Sequence, residues 1–284
     1  MSQKSKSLES KIKEWLVTQG YPLEMVVARE FQSVGFRVLQ SDYYSDPESN
    51  SSREIDVIAH LQEQVGSCLV RLSFCIECKS SQDKPWIIFT SAGVRLADPA
   101  RVVQRASSFL GTSFLQRLAR DKEIQSLNMF SIPQRAGYGV TQAFTSGKDI
   151  PYEATVGAAK CAIAKALTAD KVNKEQGPIC EIIFPIVVTN GRLFESYLNN
   201  NNEVIVSEIE MGVLVWRNPL VHMPHTIVRI STIKDLPKLV QDAKEVALNV
   251  FAHEKEITEL LEQLEQDKHQ QLQTFLSQGK AKRK

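Results

Sequence analysis

Two carboxylates and a lysine, Asp56, Glu77 and Lys79, stand at spacings that suit metal-assisted phosphodiester chemistry. Glu77 and Lys79 close an apolar run, Leu72-Ser73-Phe74-Cys75-Ile76-Glu77-Cys78-Lys79, that reads as a strand. Side chains alternate along a strand, so Glu77 and Lys79 project from one face while Phe74, Ile76 and Cys78 project from the other. Asp56 lies in the preceding apolar strand, between Ile55 and Val57, where an acid is costly unless it finds a partner such as a cation. If the two strands are neighbours, Asp56 and Glu77 converge, and carboxylates that close repel unless a divalent ion lies between them. Hard oxygen donors suit Mg²⁺, with Mn²⁺ as its natural substitute, and the backbone carbonyl of Cys78 offers a further ligand. Lys79 would then stabilise an attacking hydroxide and the charge that develops on the phosphate.

The short motif alone proves little. Glu9 and Lys11 form a second Glu-x-Lys in the polar N-terminal segment, and a bare pair of this kind is as readily an exposed salt bridge on a sheet face. Glu30 supplies a separate clue. It falls within the apolar stripe Leu23, Val26, Val27, Phe31 and Val34 of a helix, where a carboxylate has no structural reason to sit. It either reaches the same site, pairs with a buried arginine or caps a local turn.

These residues need elements to position them. A short helix over 11–17 and a second over 21–34, opened by Tyr21-Pro22 and stopped at Gly35, precede a strand at 36–39 and a polar loop at 42–52. Strands follow at 54–61 and 68–79 with a turn between them, then a loop at 81–85 and a short apolar segment at 86–89. The pattern is helical over 98–120, glycine-rich and looped in part over 130–149, and helical again over 152–167. The run 180–189 reads as a buried central strand, with further strands at 194–197, 203–216 and 226–230 and one long helix over 238–278. The expected division is a body over 1–237 and a C-terminal helix with a basic tail over 238–284.

Asp56, the apolar strand ending Glu77-Cys78-Lys79, and a preceding helix bearing Glu30 resemble the PD-(D/E)XK nuclease superfamily. The proline of that name is absent, since residues 53–56 read Arg-Glu-Ile-Asp. The resemblance implies an α/β, restriction-endonuclease-like fold: a mixed central sheet flanked by helices, with a helix-strand-strand-strand-helix-strand core. To this the chain would add C-terminal strands and a long C-terminal helix. It further implies Asp56 and Glu77 as metal ligands, Lys79 as the catalytic lysine and Glu30 as the helix-borne acid. The activity implied is that of a Mg²⁺-dependent nuclease on DNA. A ribonuclease using the same site, or a silent scaffold that binds nucleic acid or a partner protein, are the alternatives.

Phosphate contacts are expected of Arg101, Gln104 and Arg105, with Lys148 and Lys160 further along; Arg95, Arg117, Arg120 and Lys165 belong to the same basic set. Arginines on a helix equally form a solvated face. His222 and His225 lack a third ligand nearby, and Trp15, Trp86 and Trp216 suit packing better than base stacking. A net charge of +1 gives no overall pull on nucleic acid, so contact must come from a local surface. Five cysteines without paired spacing do not form a disulfide framework, and no leader or membrane-length apolar run is seen, which points to a cytoplasmic protein. The C-terminal helix offers a surface for a homodimer or a partner protein, although Glu254 and Lys268 interrupt any strict heptad.

Overall fold

Two helices lead into the sheet of this computed structural model, which describes residues 7–81, 84–92, 99–103, 106–145, 147, 149–175, 177–217 and 226–281. The first, α1 (Leu8–Thr18), is capped by Ser7, whose hydroxyl accepts from the Ser10 amide at 3.2 Å. The second, α2 (Tyr21–Ser33), carries Pro22 in its first turn and ends before Gly35, whose φ of +103° lets the chain reverse. Strands β1 (Arg37–Ser45), β2 (Ser52–Val65) and β3 (Cys68–Lys79) then form an antiparallel set, the last two joined by a tight turn with Gly66 at φ +58°. Both β1 and β2 exceed their expected lengths. The polar stretch after residue 39 keeps pairing because one side of this edge hairpin faces solvent, so it needs no apolar pattern.

After β4 (Trp86–Ala92), the helix expected over 98–120 proves to be two, α3 (Pro99–Val103) and α4 (Phe109–Leu118). Ser108 makes the break. Its hydroxyl accepts from the Gly111 amide that opens α4 and from the Glu181 amide, both at 3.1 Å. A short α5 (Lys122–Ser126) precedes β5 (Arg135–Gln142), a strand within the glycine-rich stretch expected to be looped in part. Gly137 is required there: a Cβ would lie 2.5 Å from Ile88 and 2.9 Å from the Val213 carbonyl. Helix α6 (Ile150–Glu175) leads to β6 (Ile179–Thr189), buried along almost its whole length as expected.

Strand β7 (Leu193–Leu198) is followed by β8 (Val204–Ile209) and β9 (Met211–Trp216), which divide the single strand expected at 203–216. They part at Glu210 and take distant places, β8 at the sheet edge and β9 inside it. Strand β10 (Thr226–Thr232) precedes α7 (Leu236–Phe251) and α8 (Glu254–Ala281), so the long terminal helix is interrupted at Ala252 and His253.

Over the described residues the strands form one mixed ten-stranded sheet in the order β1-β2-β3-β6-β10-β9-β5-β4-β7-β8, flanked by helices. Strands β3 and β6 run parallel through the middle of the first half. On one face, Leu23, Val27 and Phe31 of α2 pack with Phe36, Phe74 and Phe184, joined by Leu239 and Val246 of α7 and Ile257 and Leu260 of α8. On the other, Ala158, Ala162 and Cys161 bring α6 close to the sheet, because small side chains permit close approach. All five cysteines are free. Among the described residues no helix is long and apolar enough to cross a membrane.

Candidate active site

Asp56 sits where two ladders fail together. The β1–β2 pairing passes from Gln40–Val57 to Asp42–Ile55 without joining Ser41 to Asp56, and the β2–β3 pairing ends at Val57–Ile76. Opposite Asp56, Ser41 is held at φ +50°, a left-handed conformation that costs a non-glycine residue energy. The splayed strands leave the Cys78 amide without a ladder partner, and the Asp56 carboxylate takes it up: Cys78 donates to Asp56 Oδ2 at 2.6 Å. In a strand the amide and carbonyl of one residue point to the same side, so the Cys78 carbonyl also faces β2.

Lys79 closes the group. Its ammonium lies 2.6 Å from Glu77 Oε2 and 3.2 Å from Asp56 Oδ2, bridging the two carboxylates. Glu77 and Lys79 thus share a face, as strand alternation requires, and Asp56 reaches them from the neighbouring strand. Glu77 is buried. Burial pushes its carboxyl up to about 7, Asp56 adds to the rise, and Lys79 counters only part of it. Burial would lower the Lys79 ammonium, but Glu77 and Asp56 outweigh it and hold the pKa above the usual lysine range. The Cys78 thiol is raised well above its ordinary value by burial, then by Asp56 and Glu24, which leaves it inert.

Helix α6 forms the wall over Glu77. A Cβ on Gly157 would stand 2.7 Å from Glu77 Oε1, so the bare backbone of this glycine is what lets helix and carboxylate coexist. Tyr44 fixes the same point from β1, donating its hydroxyl to the Gly157 carbonyl at 3.2 Å.

The acid that α2 brings toward this group is Glu24, not Glu30. Burial raises the Glu24 carboxyl, and the neighbouring charges it senses are Asp56, Lys79 and Glu54. Among the described residues no hydrogen bond or ion pair joins Glu30 to the site. Its side chain lies about 120° round the helix from Glu24. The buried face of α2 is Leu23, Val27, Ala28 and Phe31, rotated by about 50° from the stripe read in the sequence. Ala28, four residues beyond Glu24 on the same face, was the signal that would have found it.

The basic candidates fare unevenly. Lys160 is committed elsewhere, 2.7 Å from Glu48 Oε2 and 3.2 Å from Asp46 Oδ2, because α6 carries it over the end of β1. Lys165 lies 3.8 Å from Glu181 Oε1, and Arg117 ties α4 to Gln263 and Glu259 of α8. Arg101 is exposed on α3. Arg95, Gln104, Arg105, Lys148, His222 and His225 lie outside the described residues. Trp86 and Trp216 are core residues, as their packing role requires.

Among the described residues no group of three or more His, Cys, Asp or Glu side chains is arranged to hold a metal ion. The donor set of Asp56, Glu77 and the Cys78 carbonyl is nevertheless all oxygen, which fits a hard divalent cation. Its two carboxylates are already drawn together on one positive charge. Comparison with models of protein families, with characterised proteins and with solved structures finds no match.

Proposed function

We propose that the chain is a metal-dependent nuclease of the PD-(D/E)XK type. The observation that carries this reading is the convergence of Asp56, Glu77 and Lys79 on one point at the end of two splayed strands. The series α2, β1, β2, β3, resumed by α6 and β6 after the intervening β4, α3–α5 and β5, with β6 parallel to β3, supports it, because with that insertion set aside it follows the core order that the resemblance implies.

Asp56 and Glu77 would hold Mg²⁺, or Mn²⁺ in its place, with the Cys78 carbonyl as a further donor. Bound there, the ion would lower the pKa of a water and polarise the scissile phosphate. The chain's own residues do the rest. Lys79, kept cationic by its two acids, presents positive charge to the attacking hydroxide and to the phosphate oxygens in a half-buried setting where charge counts for more than in water. The amide of Cys78 holds Asp56 in place, and α6 shields one oxygen of Glu77 from water. DNA is the proposed substrate on the family resemblance alone, since the phosphodiester is common to DNA and RNA.

The test is Mg²⁺-dependent cleavage of DNA and of RNA, with Asp56→Ala and Lys79→Ala as controls. Cleavage lost in both variants is expected. No cleavage of either substrate, or cleavage undiminished in the variants, leaves a nuclease-shaped scaffold in its stead.

A further inference from the structure

Phe144 is the most exposed large apolar side chain among the described residues, 87% open to solvent, and its backbone is held at φ +59°. Either feature alone is ordinary. Together they mean that a bulky residue is kept in a left-handed conformation it disfavours, and gains no packing in return. A glycine or asparagine would relieve that cost at this position.

The turn that presents it is fastened, on its β5 side, to the segment that follows Lys79. On the β5 side, Gln142 Nε2 donates to Ser81 Oγ at 2.6 Å and the Ala143 amide donates to the Pro85 carbonyl at 2.9 Å. Ser81 lies two residues beyond Lys79, and its own amide is bound by Asn190 Oδ1 at 2.9 Å, next to the Thr189 that pairs with Lys79. Thr145 closes the turn by donating its hydroxyl to the Gln142 carbonyl at 3.0 Å. On the other side the turn leads into α6, whose Gly157 abuts Glu77. The path from Lys79 through Ser81 and Gln142 to Phe144 keeps the Cα atoms of Lys79 and Phe144 within about 25 Å, the span of a few nucleotides.

We propose that Phe144 is a base-stacking residue that selects an unpaired strand for the Asp56–Glu77–Lys79 site. An exposed aromatic ring on a fixed turn offers a face to any base, whatever its identity, provided that the base is free of its duplex partner. A ring held at an energetic cost beside a phosphodiester site therefore discriminates strand state rather than sequence. This rests on the nuclease reading above.

Binding is measured on the full chain in EDTA, so that cleavage does not intervene. The probes are single-stranded DNA and RNA oligonucleotides carrying 2-aminopurine and a blunt duplex of equal length. Wild type is expected to quench the base fluorophore and to bind the single strands more tightly than the duplex. Phe144→Ala should lose the quenching and weaken single-strand binding roughly tenfold, the scale of one stacked base, with duplex binding unchanged. Phe144→Trp should restore both. Phe144→Gly should melt at or above the wild-type temperature, because the left-handed strain is relieved, which separates lost stacking from lost folding. Single-strand binding by Phe144→Ala equal to wild type overturns the stacking role, and so does a lowered melting temperature in Phe144→Gly. Either result leaves Mg²⁺-dependent cleavage, read separately, untouched. Phe144-dependent single-strand binding without cleavage under any metal would keep the stacking role and remove the nuclease reading.

Discussion

Lys160 and Gly157 lie on α6 about 4.5 Å apart along its axis, and each meets a buried carboxylate under opposite electrostatic conditions. At Lys160 the acid is Asp46, which has no solvent exposure and accepts from the Glu48 amide at 2.9 Å, the Ser49 amide at 3.2 Å, Arg53 Nε at 2.6 Å and Lys160 Nζ at 3.2 Å. Burial alone would raise this carboxyl, but the Glu48 and Ser49 amides and Lys160 prevail and hold it down at about 2. At Gly157 the acid is Glu77, which shares a single ammonium with Asp56 and is pushed up to about 7. Two cations and two amides serve the first cluster, whose acids are Asp46 and the more exposed Glu48. One cation serves both acids of the second, with Glu24 near enough to be felt. The first is saturated and structural. The second has one ammonium for two carboxylates, so once Glu77 gives up its proton above about pH 7 it carries net negative charge.

The comparison breaks most visibly at its two centres. Lys79→Ala should lower Mg²⁺-dependent cleavage by about 10²–10³-fold, the usual cost of removing one group that stabilises transition-state charge. Mn²⁺ binding should survive, since the oxygen donors remain. Single-turnover cleavage and calorimetric titration read the two, and a variant within tenfold of wild type would reduce Lys79 to an ordinary ion-pair partner. Asp46→Ala should do the reverse. It removes the acceptor of two amides and of Arg53 and one of the two partners of Lys160, and should cost about 3 kcal/mol in urea unfolding while leaving kcat near wild type. A large fall in kcat with unchanged stability would merge the two clusters into one site.

Proton titration should separate them as well. Asp46 is depressed in the fold, so its stabilisation is intact above its free value of 3.8 and is lost as pH falls toward about 2. Asp46→Asn should flatten that part of the acid unfolding curve. Glu77 is raised from 4.5 to about 7, so across that window the fold holds a proton that an entering cation must displace. Mn²⁺ affinity should therefore weaken by up to about tenfold per pH unit below pH 7 and level off above it. Glu77→Gln should bind weakly with no such slope, and a wild-type affinity that is flat across the window would sink the assignment.

The same contrast explains how much of the site could be read from the chain. Glu77, Lys79 and Asp56 were legible because a strand has a fixed period of two, and an acid amid Ile55 and Val57 stands out. Glu24 was not, because a helix stripe read from apolar residues alone tolerates rotation, and Val26 and Val34 drew its centre toward Glu30. Lys160 looked like any solvent-facing lysine, since nothing local to it reveals that Asp46, 114 residues earlier, lies beneath it. The fold divides likewise. The apolar runs of β3 and β6 announced themselves, whereas β5 was hidden by Gly137 and Gly139, of which Gly137 lacks a side chain because Ile88 on the adjoining strand fills its place. The break between β8 and β9 was hidden too, because alternation continues through Glu210 while the strands part.

Gly157 is where the smallest change should sharpen the comparison most. Alanine there gains about 1 kcal/mol of intrinsic helix preference, and the atom it would strike, Glu77 Oε1 at 2.7 Å, is the far end of a flexible side chain rather than backbone. The helix should therefore stay and the carboxylate should move. Thermal stability of Gly157→Ala should stay within about 1 kcal/mol of wild type, the size of that helix preference. Cleavage should fall roughly tenfold, as expected when one donor is displaced by a fraction of an ångström. Lys160, one turn on, serves as the internal control, because Asp46 is held by four donors that the new methyl does not touch. A Gly157→Ala protein that loses stability but not activity would mean that α6 yields before Glu77 does, and that the wall over the carboxylate is packing rather than part of the site.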